Sequence, residues 1–479
     1  MATNVIAYDN LEISAFELKY LKELKITNSI NNHSKLELVG LLPEDKGETY
    51  IYSTEENTPI EVHYKDDKGN KNSIFNGIIS SVKVKANKDV YYLYVEAYSF
   101  TYLMDVVKKS CSFQDVNMTS HKLVKSVIGL YSNADVVMNI PNVPIGEFIL
   151  QYKETDWEFI RRIISKYNQG LFSEIQTPNI KLFCGVPENL EQQDLEINSY
   201  NVYKEIDTYE EMKKNYLLDA NETDYIIYEV QSHKILKLGS SINFKNSSFY
   251  VSSVCNELKQ GILCNKYKLQ NKRGLRQNRL FNQEVIGISL DGQIIGVKRD
   301  RVQVSLKIDE GRDSGNAYWF PYSTIAGSPD GGGWYCMPEI SEKIRVNCPT
   351  KDEKRAFVIN AIATHSADKP DENDRMSNPD NKSLKTDSGQ EVKFTPNGVL
   401  IECNGGQARV NLNNDGTIDV IGQKNINLAC AKGLSLRAEN QLSISAVNGI
   451  DILCESGSNM IMTEGDEILL NGTRVHNNG

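Results

Sequence analysis

The chain has 479 residues, 40% apolar and 24% charged. This globular composition excludes wholesale disorder and a collagen-like repeat, and at ~150 residues per domain it sets a prior of about three domains. Lys and Arg total 53 against 63 Asp and Glu, and the formal charge of −10 argues against a basic nucleic-acid binder.

No run of ~18 apolar residues is present. Met1-Ala2-Thr3-Asn4 opens without the basic and apolar regions of a Sec-type signal, so the chain is expected to be made in the cytoplasm without a signal peptide. Up to about residue 100 the pattern is that of strands. Val62 and Tyr64 alternate with polar neighbours, and further apolar runs follow near 74–84 and 90–95. From 101 the period changes. Ser120 is placed to cap a helix bearing Leu123, Val124, Val127 and Ile128. Thr155 is placed to cap another with Phe159, Ile160, Ile163 and Ile164 on one face. Trp157, Phe159 and Ile163 read as core, and Glu154, Asp156 and Glu158 as helix-start charge suited to the macrodipole.

Strands return near 180. Residues 235–270 read as a β-meander with turns at Lys245-Asn246-Ser247 and Gln260-Gly261. The basic stretch Asn271 to Arg279 reads as a linker, too short and too poor in aromatics for a nucleic-acid patch. Residues 284–365 carry short strands near 284–289, 302–308, 343–346 and 356–362, the size of a five-stranded OB barrel. Within it, Asp330-Gly331-Gly332-Gly333-Trp334 lacks the Gly-Lys-Ser/Thr ending of a phosphate loop and reads as a tight barrel loop. Residues 366–389, rich in Asp, Asn, Lys, Ser and Pro, read as an extended connector.

The most regular signal follows. Every eighth residue from Leu412 gives Leu412, Val420, Leu428, Leu436, Ile444, Ile452, Met460 and Ile468, all aliphatic or Met. Two positions earlier the series is Val410, Ile418, Ile426, Leu434, Leu442 and Ile450, and then it fails at Ser458 and Asp466. Two positions later it is mostly small, with Cys430, Ala438, Ala446 and Cys454, and then Met462 and Leu470. Alternation within each octad makes it a strand with one buried face, with Gly416, Gly433 and Gly449 at corners.

One eight-residue strand per repeat is too short for a coil with its own core, so three chains are expected to supply the sides of one prism. The twelve residues from Val410 to Ile452 in the first two series would then be the trimer core. A single-chain β-helix with three octads per coil would have fewer than three coils and a poor core. From residue 390 onward six Lys/Arg stand against ten Asp/Glu, a charge of −4 per chain. Such a surface is poorly attracted to anionic membranes, so crossing one would need force.

Nine scattered cysteines form no C-x-x-C and read as small buried hydrophobes. The six histidines form no H-x-H. His476 is the one metal candidate, at the tip, with an exposed tail as its ordinary reading. No catalytic or cofactor-binding residue stands out.

Three places resemble the VgrG family, the hub-and-spike proteins of contractile injection systems, related to the baseplate hub and cell-puncturing spike of contractile phage tails. The first is Gln151-Tyr152-Lys153-Glu154-Thr155-Asp156-Trp157-Glu158-Phe159-Ile160-Arg161-Arg162-Ile163, similar to the family's Q-Y-x-E-T/S-D-W-x-F-h-x-R-h, with Phe113-Gln114-Asp115 upstream. The second is Trp319-Phe320, Gly332-Gly333-Trp334, Met337-Pro338-Glu339-Ile340 and Lys343-Ile344-Arg345-Val346, with Ser341 where the family usually has Gly. The third is Lys385-Thr386-Asp387-Ser388-Gly389, at the entry to the octads.

The expected fold is therefore mainly β with a small α/β insertion. It runs from a hub of two tail-tube-like β-barrels (1–283, insertion about 101–200) to an OB-fold barrel (284–365), the connector and a trimeric β-helical needle (390–479). The resemblance implies a non-enzymatic homotrimeric spike in the baseplate of a contractile particle, delivered into a target or released. Its implied partners are an inner tube ring, baseplate proteins, effector cargo, the target envelope and a PAAR-repeat cap. Met460, Met462, Ile468 and Leu470 are expected to face that cap. No cofactor and no nucleic acid are expected. A receptor-binding or adhesive tail protein is the rival reading, and a spike-linked hydrolase the third.

Overall fold

The computed structural model describes residues 5–66, 68–188, 190, 192–195, 197, 199–312, 316–324, 336–360, 378–386, 388–455, 457–463, 467–474 and 476. The chain divides into two compact units, residues 1–363 and 364–479.

The first unit opens with β1 (Leu11–Ile13), β2 (Tyr20–Ser29), β3 (Lys35–Leu41), α1 (Thr49–Ser53), β4 (Pro59–Lys65), β5 (Lys71–Asn87) and β6 (Val90–Ser99). An insertion follows: β7 (Lys109–Phe113), α2 (Ser120–Ile128), β8 (Asp135–Met138), β9 (Ile149–Glu154), α3 (Asp156–Ser165), β10 (Leu171–Ser173) and β11 (Lys181–Cys184). The chain then returns to the first sheet through β12 (Gln193–Asp194), β13 (Tyr200–Lys204), α4 (Ile206–Asn215), β14 (Ile226–Ser232), β15 (Ser241–Phe244), β16 (Ser247–Lys259) and β17 (Ile262–Gln270).

Two modules of one design share this twelve-stranded sheet. The first runs β2-β3-β6-β5-β4 and the second β13-β14-β17-β16-β15, joined where β2 pairs antiparallel with β16. Alternation, interrupted between Val251 and Val254 by a bulge, puts Leu24, Ile26, Leu36, Leu38, Leu93 and Val95 in one core, and Val230, Val251, Val254, Tyr267 and Leu269 in the other. Both modules carry the same bulge. Ser80 and Ser252 each stand as the extra residue, and their hydroxyls donate to Glu96 O at 3.0 Å and Lys268 O at 3.1 Å.

In the insertion, α2 begins one residue earlier than its expected cap implies. Thr119 caps it by accepting from the Lys122 N–H at 3.3 Å, because the Ser120 hydroxyl is committed to Pro141 O at 2.7 Å. Helix α3 starts at Thr155 as expected, with a reciprocal box: Glu158 N–H donates to Thr155 Oγ1 at 3.1 Å and Thr155 N–H to Glu158 Oε2 at 3.0 Å. Trp157, Phe159, Ile160, Ile163 and Ile164 are buried on its inner face.

The stretch read as a linker is pinned instead. Leu275 is buried, Asn271 Oδ1 accepts from Gly274 N–H at 2.7 Å, and Arg276 pairs with Asp219 at 2.9 Å.

The five strands that follow are β18 (Ile288–Lys298), β19 (Arg301–Leu306), β20 (Trp319–Pro321), β21 (Lys343–Cys348) and β22 (Phe357–Asn360). The first starts later than expected because Gln283–Val285 is a tight turn with Val285 buried. Their order is β20-β19-β18-β21-β22, and a parallel bridge from Tyr322 to Val358 closes it. Ser341 has φ +74, the left-handed conformation that glycine adopts most readily. The Asp330–Trp334 stretch lies outside the described residues.

The second unit holds an antiparallel meander of β23 (Lys382–Lys385), β24 (Glu391–Thr395), β25 (Gly398–Cys403), β26 (Ala408–Asn413) and β27 (Ile418–Gly422). A second meander joins β28 (Gly449–Leu453), β29 (Asn459–Thr463) and β30 (Ile468–Asn471). Part of the expected connector is thus strand β23. No described helix is long and apolar enough to cross a membrane.

Candidate interaction surface

The motif around Trp157 proves to be a clamp. Arg162 lies on the second turn of α3, and its side chain is 3% exposed. Nε and Nη2 donate to the Glu154 carboxylate at 2.7 and 2.8 Å, Nη2 also to Leu150 O at 2.8 Å, and Nη1 to Glu353 Oε1 at 2.8 Å. Burial opposes the Arg162 charge, but Glu353 and Glu154 outweigh it and hold the group above its ordinary value. Burial pushes the Glu154 carboxyl up.

Asp156 is not mere helix-start charge. It is buried and accepts from Gln151 Nε2 at 2.9 Å, Tyr131 OH at 2.7 Å and Lys109 Nζ at 2.5 Å. Because Glu353 belongs to the five-stranded barrel, the clamp ties insertion to barrel. Strand β9 does the same with apolar groups. Phe148 and Leu150 enter the barrel core beside Val302, Phe320 and Val346, while Ile149 enters the insertion core. A third tie runs from Ser112 N–H to Asp309 Oδ1 at 2.7 Å.

The octads sit in the second unit, and the pairing there sorts them by face. Val410 stands opposite Val420 and Ile401, and Leu412 opposite Ile418 and Val399. Ile450 stands opposite Met462, which faces Ile468. Ile452 stands opposite Met460, which faces Leu470. Each meander therefore gathers its octad aliphatics on one face, and the four expected cap-facing residues share theirs with Ile450 and Ile452, while Leu453, Ile461 and Leu469 lie on the other. Leu384, Val392, Ile401, Val410, Val420 and Ile426 line an open groove of about 520 Å³. Val392, Val399 and Ile401 escape the octad count because the period fails upstream at Glu402 and Asn404.

None of the twelve expected core residues is buried within one chain. Val410 and Ile450 are half-buried, and the rest are exposed, up to 67% at Ile418 and Leu428. Met460 and Met462 are half-buried; Ile468 and Leu470 are exposed. Between the meanders the eight-residue period survives as geometry. Bends fall at 423–424, 431–432, 439–440 and 447–448, and the six-residue runs between them each carry two aliphatics: Ile426 and Leu428, Leu434 and Leu436, Leu442 and Ile444. The expected strand per octad is thus present at both ends and missing here, because residues 424–448 have no backbone partner among the described residues of the same chain.

The cysteines divide in the same way. Cys111, Cys184 and Cys348 are buried, but Cys255, Cys264 and Cys403 are partly exposed, and Cys336, Cys430 and Cys454 fully so. The last two are exposed because the octads around them are. His476 is exposed, and among the described residues no group of three His, Cys, Asp or Glu is poised to hold a metal.

No family model matches the sequence, and no curated protein matches it either. Solved structures do match in fold. An Escherichia coli protein, c3393, described as a component of the type VI secretion system with structural similarity to the T4 bacteriophage tail proteins gp27 and gp5, is 12% identical; the match covers 73% of this chain and 98% of that one, TM-score 0.53. A chain of the lidded Francisella PdpA-VgrG complex is 10% identical over 84% of this chain and 76% of its own, TM-score 0.54. A chain of the half-lidded complex is 10% identical over 98% and 88%, TM-score 0.50. The chain has the β-rich fold of the VgrG-like hub-spike proteins.

Proposed function

We propose that this chain is a structural subunit of a contractile injection machine, a homotrimeric hub and spike that works mechanically and without a catalytic group. The observation that carries the reading is the octad stretch: aliphatic pairs every eight residues, left in water and without backbone partners in one chain. Each such side chain moved from water into apolar contact contributes about 1.5–3 kcal/mol, against ~0–1 kcal/mol for a surface ion pair. Three copies supply both the missing backbone partners and the missing apolar neighbours, and a closed prism leaves no sheet edge along its length. The fold likeness to VgrG-like proteins supports the same assignment.

In this reading residues 1–283 are the hub, 284–365 an OB-type barrel, 366–389 a connector and 390–479 the needle. The closed five-strand order supports the barrel. Contraction pushes an inner tube ring onto the hub. The Arg162 clamp and the shared strand β9 pass that load to the barrel without slippage, because buried paired charges and shared core do not reorganise cheaply. The needle concentrates force on the target envelope and bears a PAAR-repeat cap and effector cargo, with baseplate proteins around the hub.

Size-exclusion chromatography with light scattering tests the assembly. A mass of three 54.0 kDa chains is expected. A monomer at micromolar concentration overturns the reading.

A further inference from the structure

In the second hub module, three aromatic rings gather where the strand order leaves a gap. Strands β13 and β15 stand at opposite ends of that order and do not pair with each other. Tyr200 on β13, Tyr228 on β14 and Phe244 on β15 nevertheless meet. Their centroids form a nearly equilateral triangle: 5.7 Å from Tyr200 to Tyr228, 5.5 Å from Tyr200 to Phe244 and 5.4 Å from Tyr228 to Phe244. The ring planes meet at 61°, 78° and 78°, so the three form a walled corner rather than a stack. Phe249 on β16 backs it, 5.2 Å from Tyr228. Tyr200 is 42% exposed and the other rings are half-buried, so the corner reaches the surface.

A cation already sits in this corner. Lys245 Nζ lies 4.2 Å from the Tyr200 centroid, 5.3 Å from that of Tyr228 and 5.6 Å from that of Phe244, within cation–π range of all three. It also donates to Tyr200 OH at 2.5 Å. Rings and a phenol hold the ammonium, with no carboxylate among the described residues that act on it. The backbone places the lysine there against its preference. Lys245 and Asn246 make the two-residue turn between β15 and β16, with φ of +50° and +60°. Two left-handed residues in such a hairpin favour Asn, Asp or Gly at the first position, not a long side chain. The contact with the rings is what a lysine gains at that place.

We propose that Tyr200, Tyr228 and Phe244 form a binding site for a quaternary ammonium group of the choline class, and that Lys245 is its built-in occupant and gate. Ring faces attract a cation without offering it a strong hydrogen-bond acceptor. A primary ammonium is strongly hydrated and has N–H groups to satisfy, whereas a trimethylammonium has none and sheds its water more readily. Lys245 is exposed, so its ammonium can swing into water on its flexible stem. The trimethylammonium then takes its place among the same rings, and Tyr200 OH turns to water. All of these residues belong to one chain, so the site does not depend on the proposed trimer.

Ligand-observed saturation-transfer NMR with choline, on the full-length chain, tests the site. Lys245→Gly removes the occupant and suits the left-handed turn; Lys245→Asn is a second variant that fits the same turn, should the first disturb folding. Choline is expected to bind either variant several-fold more tightly than the unchanged chain. In the Lys245→Gly background, Tyr200→Leu is expected to abolish binding and Tyr200→Phe, which keeps the ring, to retain it. Dimethylbutanol, the uncharged isostere of choline, is expected to give no signal. Sedimentation of the Lys245→Gly chain with phosphatidylcholine vesicles and not with phosphatidylglycerol vesicles supports the site and assigns a lipid headgroup; choline binding without sedimentation supports it and assigns the free amine. No choline signal in a folded Lys245 variant overturns the site. Equal affinity with and without the lysine overturns its role as gate. A dimethylbutanol signal as strong as that of choline overturns recognition of the charge.

Discussion

Arg162 holds two bodies together through one planar group. Its donors meet Glu154, Leu150 O and Glu353, and its side chain is buried. Arg162→Ala leaves two carboxylates facing each other in a dry site, so the expected loss is about 3–5 kcal/mol, read by chemical unfolding of the full chain. Arg162→Lys is expected to recover only part, since a point charge cannot make the bidentate contact to Glu154. The segment's role was half legible in the sequence. The capped helix and its apolar stripe could be read directly, because capping and 3.6-residue periodicity are local. The clamp could not, because Glu353 is 191 residues from Arg162 and no local pattern records such a partner. Asp156 was read only in part for the same reason: it is a first-turn acid of α3, but Lys109 and Tyr131, which bond it in its buried place, are remote in sequence.

At the scale of elements, the octad is the natural unit of length in the proposed needle. Removing one whole unit, residues 433–440, carries away one bend and one aliphatic pair and leaves every later residue on its own face. The trimer is expected to survive that deletion. Removing four residues, 433–436, sets the later bends half a period out of step, and the trimer is expected to dissociate more readily. Light scattering after a short heat step separates the two. The octads were legible without coordinates because a fixed period is a property of sequence. Where pairing runs within one chain was not. The backbone closes antiparallel meanders at both ends and leaves the middle open, a difference that depends on turn chemistry such as Gly416 at φ +88 rather than on the apolar repeat. Duplication in the hub was implied by the resemblance, with its two tube-like barrels, and not by any repeated residue pattern. The modules share strand order and a serine bulge, yet the strands that carry Ser80 and Ser252 have little sequence in common.

For the whole molecule, the last apolar face is the one with work left to do. Met460, Met462, Ile468 and Leu470 continue the rows of Ile450 and Ile452 beyond the point where the inner series fails at Ser458. Truncation after Ser458 is expected to keep the trimer and lose pull-down of a PAAR-repeat cap; retained binding would place the cap's contact elsewhere. The open middle of the octads has a further, kinetic meaning. The first unit contains its own cores and can fold at a rate set by one chain alone. In the proposed trimer, residues 424–448, which have no backbone partner among the described residues of one chain, are completed by a reaction between chains, and its rate climbs steeply with concentration. A dilute cell extract and a crowded ribosome cluster would therefore yield different products from the same gene. If the trimer is the finished form, the supply of new chains, rather than the stability of any one of them, sets how many assemblies are completed before exposed aliphatic rows find the wrong partner.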